Sequence, residues 1–195
     1  MKKNQEIPIA ELEQLQAELK RERHKNRYRS TLRSTIYTLI VVAALAVLVA
    51  TIFLPVLRIY GSSMEPTINE GEIVVSLKGA GFECGDVIVL SFNNKLLVKR
   101  VIAGPGQWVN MDLEGNVSVD GKRIEEPYLA EKAYGETNID LPYQVPDNCI
   151  FVMGDHRETS IDSRNTSVGC IDREEIVGKI IFRVWPLKDF GPIGK

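Results

Sequence analysis

Three segments of the 195-residue chain carry side chains able to break and make bonds. In IYGSSMEPTINEGEIVV a glycine and two serines precede a methionine and a turn-forming proline, and a strand pattern follows. Ser63 therefore falls where an irregular loop can expose its hydroxyl, although Ser and Gly clusters are also ordinary loop material. In LLVKRVIAG, Lys99 stands inside a strand pattern, with Leu97 and Val101 as same-face neighbours two positions away. An ammonium on an apolar face is costly unless it is neutral or paired; burial lowers a lysine's pKa, and a free amine can accept a proton from a serine. The alternative is an edge-strand lysine whose stem lies on apolar surface and whose head reaches water. In VMGDHRETSIDSR, a polar loop after an apolar strand, Asp155, Arg157, Ser160, Asp162, Ser163 and Arg164 can satisfy one another. Such a network either staples loops or holds a reactive lysine in a fixed rotamer.

The elements that must position these groups divide the chain unevenly. From Ile36 to Val56 the sequence IYTLIVVAALAVLVATIFLPV has no charged side chain, and about 20 such residues suffice to cross a bilayer. Residues 35–57 are thus expected to be a transmembrane helix, longer than the apolar core of a cleavable leader. Lys20, Arg21, Arg23, Lys25, Arg27, Arg29 and Arg33 precede it, while Arg58 and then Glu65 and Glu70 follow. The positive-inside bias puts residues 1–34 in the cytoplasm and residues 58–195 outside. Ile9, Leu12, Leu15 and Leu19 recur at helical spacing, so the basic segment reads as a short amphipathic helix, solvated with its basic end toward anionic lipid, or self-associating.

Beyond the span, EIVVSL, DVIVLSF, LLVKRVIAG, WVNM, VSVDG, CIFVMGD and IVGKIIFRVW are short apolar runs punctuated by Gly, Asn and Asp. Asp120-Gly121 is a pair that favours a tight hairpin. These features predict a mainly β protein, one compact all-β body with a hairpin or extended insertion at about 104–146, anchored by one N-terminal helix. Composition agrees with a folded chain: 44% of residues are hydrophobic and 26% charged. A net charge of −2 supplies no field for nucleic acid. With only His24 and His156, a histidine-rich metal site is excluded. Cys84, Cys149 and Cys170 have no paired metal-ligand spacing, and an odd number cannot all pair within one chain, so they read as buried or free thiols.

In order, the anchor, GSSMEPTI, GDVIVL, KRVIAGPG and GDHRETSIDSR resemble the ordered boxes of the type I signal peptidases, from about Ile59 to Arg164. The resemblance implies a membrane-bound serine endopeptidase with a Ser-Lys dyad, in which Ser63 is the nucleophile and Lys99 the general base. It also implies that Ser160 hydrogen-bonds the lysine, that Asp162 and Arg164 form a supporting ion pair, and that Asp155 lies near Arg100. Its substrates would be secreted pre-proteins whose small residues at −1 and −3 enter shallow apolar pockets. By position, Ile59, Ile68 and Val98 are the candidates to line them. No metal or organic cofactor is implied.

Three departures stand out. Gly61 occupies the place where many members have a serine whose hydroxyl helps hold the oxyanion, which leaves backbone N–H groups, that of Ser63 first. His156 stands where the family usually has Asn, and NTSV intervenes between Arg164 and Gly169. Trp185 and the apolar FLPVLRIY and IIFRVWPLKDF segments fit either core packing or the bilayer surface. Two other readings compete with the Ser-Lys protease. One is a Ser-His-Asp hydrolase using His156 as base; the other is an anchored β-domain that only binds an extracellular ligand. A soluble self-cleaving Ser-Lys repressor lacks such a span.

Overall fold

The computed structural model describes residues 9–194, with side chains described from residue 14. The segment expected to hold a separate amphipathic helix and a span is one continuous helix, α1 (Ile9–Phe53). No Gly or Pro interrupts KRERHKNRYRSTLRST, so nothing breaks the backbone between the two halves. Every described side chain of α1 is exposed, Leu15 and Leu19 included; the side chains of Ile9 and Leu12 fall outside those described. The helix stops at Phe53, short of the expected boundary at residue 57. Pro55 disfavours helical backbone at the residue before it, and Val56 and Leu57 already belong to a strand.

The remainder is mainly β. Its strands are β1 (Val56–Arg58), β2 (Ile73–Lys78), β3 (Val87–Phe92), β4 (Lys95–Ala103), β5 (Trp108–Met111) and β6 (Val117–Val119). There follow β7 (Lys122–Arg123), β8 (Tyr143–Gln144), β9 (Cys149–Met153), β10 (Ile171–Asp172), β11 (Ile176–Trp185) and β12 (Gly191–Pro192). An eight-stranded sheet runs β1-β2-β11-β3-β4-β9-β10, with β12 also on β11; a four-stranded sheet runs β7-β6-β5-β8. All described pairings are antiparallel. The second sheet is what the 104–146 insertion builds.

Strand β3 explains why its sequence is apolar without alternation, since both of its faces are buried. Val87 and Val89 join a cluster with Ile59, Met64, Ile68, Val74 and Ile180, while Ile88 and Leu90 join Val101, Ile150, Val152 and Ile171. A third cluster, around Ile102, Val109, Met111, Phe151 and Met153, fastens the small sheet to β4 and β9. Tight hairpins set register at two points. Asp120 and Gly121, with φ of 51° and 75°, turn β6 into β7, and Asn93 and Asn94, at 48° and 60°, turn β3 into β4. That second turn places Lys99 opposite Ile88 and Arg100 opposite Val87. Trp185 is 52% exposed and so is not a core residue.

Candidate active site

Ser63 sits on a loop between β1 and β2 whose ends are tied together. Ile59 N–H donates to Glu72 C=O and Gly71 N–H to Ile59 C=O, each at 2.9 Å. Within it, Ile68 N–H donates to Met64 C=O at 2.9 Å, and both side chains are buried beneath the loop. The carbonyl of Ser63 accepts from the His156 N–H at 3.1 Å, which joins the serine loop to the polar loop after β9. At Gly154, a Cβ would collide with both the Ser63 carbonyl and Ser160 Oγ, so only glycine lets these segments approach. Gly61 has φ of +84°, a backbone region a serine enters only with strain.

Lys99 is 4% exposed on β4, and its Nζ donates to Ser160 Oγ at 3.0 Å. Burial holds its pKa below the ordinary lysine value; the Asp162 charge opposes this, Arg164 adds to it, and Asp155 opposes it more weakly. Among the described residues, every other buried charge has a partner of opposite sign. Arg100 pairs with Asp155, Arg157 with Glu126, Arg164 with Asp162, Lys179 with Asp86 and Arg183 with Glu72. Lys99 alone has a neutral hydroxyl in that place.

The surrounding groups fix this arrangement. Asp162 takes Arg164 in a two-pronged contact, both prongs at 2.9 Å, and also accepts from the Gly154 N–H at 2.9 Å. Burial pushes its carboxyl upward, but the Arg164 hydrogen bonds and charge, with those of Gly154 and Ser160, outweigh burial and hold it below the usual value. Arg164 further donates to the carbonyls of Tyr134, Arg157 and Ser160 at 2.8, 2.8 and 3.2 Å. Arg100 grips Asp155 through Nε at 2.8 Å and Nη2 at 2.6 Å, donates to Gly85 C=O and Thr67 Oγ1, and lies 3.7 Å from the Tyr128 ring centroid. Glu126, the partner of Arg157, and Tyr128 are not marked by the sequence: they fall in the 104–146 insertion, Glu126 lies 31 residues from Arg157, and no periodic pattern marks such a pair.

Ser63 and Lys99 line one cleft of about 460 Å³, together with Leu57, Ile59, Tyr60, Gly61, Met64 and the Lys95–Val98 stretch. Among the described residues Ser63 Oγ makes no hydrogen bond, to Lys99 or to any other group, so its hydroxyl is tied to no other partner in the cleft. Of the three residues expected to contact substrate, Ile59 and Val98 line this cleft. Ile68 does not: it is 0% exposed and packs behind Ile59, because its short helical turn points it into the apolar cluster. His156 does not share the cleft either. Its ring lines a separate cavity of about 220 Å³ with Glu65, Glu131 and Glu158, and its Nδ1 is buried without a hydrogen bond. The four residues Asn165–Val168 are absorbed in a turn closed by Gly169, whose N–H donates to Asn165 C=O at 2.8 Å with φ of +66°.

The family described as signal peptidase, peptidase S26, matches residues 32–185. Signal peptidase I of Bacillus amyloliquefaciens is 35% identical over 77% of this chain and 86% of its own length. Signal peptidase IB of Staphylococcus aureus (strain COL) is 39% identical over 68% and 78%. A crystal structure of a signal peptidase I from Enterococcus faecalis V583 aligns with 51% of this chain and 97% of its own at 24% identity and a TM-score of 0.45. With a matched region that runs from within the apolar helix to the end of β11, the chain belongs to the signal peptidases of peptidase family S26, serine-type hydrolases that remove signal peptides.

Proposed function

We propose that this signal peptidase works through a Ser63–Lys99 dyad, held at a membrane by α1 with the β-body on the outer side. The observation that carries the dyad is the buried Lys99 amine: it has no carboxylate partner, its pKa is lowered by burial, and it shares an apolar cleft with Ser63. In this reading, neutral Lys99 takes the Ser63 proton as Oγ attacks the scissile carbonyl. The lysine then passes that proton to the departing amine, leaving an acyl ester on Ser63. Water, deprotonated by Lys99, attacks the ester and regenerates the hydroxyl. The negative oxygen formed in each addition is served by backbone N–H groups, that of Ser63 first, since Gly61 offers no side chain. One such donor contributes about 2.7–4 kcal/mol to the transition state. Ser160 fixes the lysine rotamer, and the Asp162–Arg164 and Asp155–Arg100 pairs hold the loop that supplies Ser160.

Ile59 and Val98 give the cleft an apolar lining suited to small side chains before the cleavage site of a secreted pre-protein. Membrane lipid is the second partner. An uncharged stretch from Ile36 onward with wholly exposed side chains is unfavourable in water and natural in a bilayer, and the basic residues ahead of it favour a cytoplasmic N-terminus and a single crossing.

The test is cleavage of a signal-peptide-bearing substrate in detergent or lipid by wild type, Lys99→Ala and His156→Asn over a range of pH. Loss of activity in Lys99→Ala with survival in His156→Asn is the expected result. The opposite pattern would transfer the role of base to His156, and an inert wild type would favour a binding module.

A further inference from the structure

With no hydrogen bond on Ser63 Oγ, the backbone of its loop decides where the hydroxyl stands in the cleft. That backbone is fastened at two points four residues apart. The Ser63 carbonyl accepts from the His156 N–H at 3.1 Å, and Thr67 is gripped by arginines from two different strands. Arg100 of β4, the chain neighbour of Lys99, donates to Thr67 Oγ1 at 3.2 Å, while Arg183 of β11 donates to the Thr67 carbonyl. Among the described residues no backbone N–H donates to that carbonyl.

Each arginine is backed by a buried carboxylate. Asp155 holds Arg100, and Glu72, 3% exposed at the foot of the serine loop, lies 2.7 Å from Arg183 Nε in an ion pair outside hydrogen-bond geometry. Glu72 is fixed in turn: Asn69 Nδ2 donates to its Oε1 at 3.0 Å, and its carbonyl accepts from the Ile59 N–H at 2.9 Å. A guanidinium serves a carboxylate and a carbonyl together because its donors fork in one plane. The geometry points to Arg183 as a positioning residue for Ser63: backed by Glu72, it fixes Thr67 from β11 as Arg100 does from β4, and so holds the serine loop in register with Lys99. This role rests on Ser63 being the nucleophile proposed above. Neither Arg183 nor Glu72 is among the charges that act on Lys99, so the effect belongs to the serine side alone.

The test uses the full chain in detergent with a signal-peptide-bearing substrate and compares wild type with the double variant Glu72→Gln/Arg183→Met. Removing both charges strands neither, so the thermal midpoint should stay well above the assay temperature. The Thr67 carbonyl then lacks its donor, and kcat should fall roughly 10-fold or more with KM little changed, because a misplaced reacting group is costly. The pH at which activity rises should not move. Arg183→Lys keeps a charge against Glu72 without the fork, so it should fold as wild type does, with kcat between the other two. Wild-type kcat in the double variant, or in Arg183→Lys should the double variant not fold, overturns the proposal. A shifted pH profile also overturns it, by moving the effect to the lysine. Activity in Ser63→Ala would sink the nucleophile and this role together, whereas an inactive Ser63→Ala beside a fully active double variant would sink this role alone.

Discussion

Lys99 Nζ lies 3.0 Å from Ser160 Oγ, and a hydroxyl rather than a carboxylate is the closest polar partner of this buried amine. The contrast with the neighbouring arginines sets the chemistry. A carboxylate at that distance would hold the lysine charged, whereas a hydroxyl fixes its rotamer without doing so.

Activity should rise with pH through the lowered pKa of Lys99 and then level off, because only the neutral amine accepts a proton. Replacing the base should cost on the order of 10²–10⁴-fold in kcat. The same shift has a stability consequence. The unfolded chain holds this lysine at its ordinary value, so between the folded and unfolded pKa values it binds more protons than the native state, and stability rises with pH there. Lys99→Met should therefore be more stable than wild type at neutral pH despite that loss of rate, with the gain shrinking as pH climbs toward the ordinary lysine value. Chemical unfolding of the detergent-solubilised chain across pH checks both signs.

The Asp162–Arg164 pair should behave as a unit. Removing one member leaves an uncompensated buried charge and costs about 3–5 kcal/mol. Asp162→Asn and Arg164→Met should each destabilise the protein strongly, and the double variant should lose less than the sum of the two. Asp162 titrates below its usual value, so its contribution is present above the unfolded carboxylate pKa and is lost as pH falls through the folded one. A double-mutant cycle at pH 7, repeated under acid conditions, measures both effects.

Gly154→Ala places a methyl group against the Ser63 carbonyl and Ser160 Oγ at once. It should lower kcat by at least about 10²-fold, because displacing positioned groups by an ångström is that costly. Activity should fall further than the thermal midpoint suggests, a comparison made on the same sample.

Val98→Phe should narrow the apolar cleft while leaving Lys99 and Ser160 in place. Roughly a 10-fold or greater loss of kcat/KM is expected, mostly through KM and largest for the bulkier residues at −1 and −3. Steady-state kinetics on a substrate series reads it. An equal loss for every substrate would contradict a specificity role.

Much of the fold was legible because its signals are local. Apolar runs marked β2, β3, β4, β9 and β11, and Asp120-Gly121 marked its hairpin. Strands of two or three residues, such as β1, β7, β8, β10 and β12, carry too little pattern to announce themselves. Lys99 was visible because a cation between Leu97 and Val101 breaks the expected alternation. Arg100 with Asp155, and Asp162 with Arg164, came from the likeness of ordered motifs, whereas Glu126 and Tyr128 had neither period nor motif to reveal them. Ile68, a pocket candidate by position alone, is buried because its turn folds back onto the core, a contact that position in a motif does not reveal.

The polar loop also offers a place to watch the site. Ile161 stands between Ser160, which holds the lysine, and Asp162, which holds Arg164; both neighbours are buried, while Ile161 is 52% exposed. A small fluorophore attached there would hang into solvent from a backbone anchored on either side. Its emission would then report the mobility of the loop that carries Ser160, without touching any group assigned to the reaction.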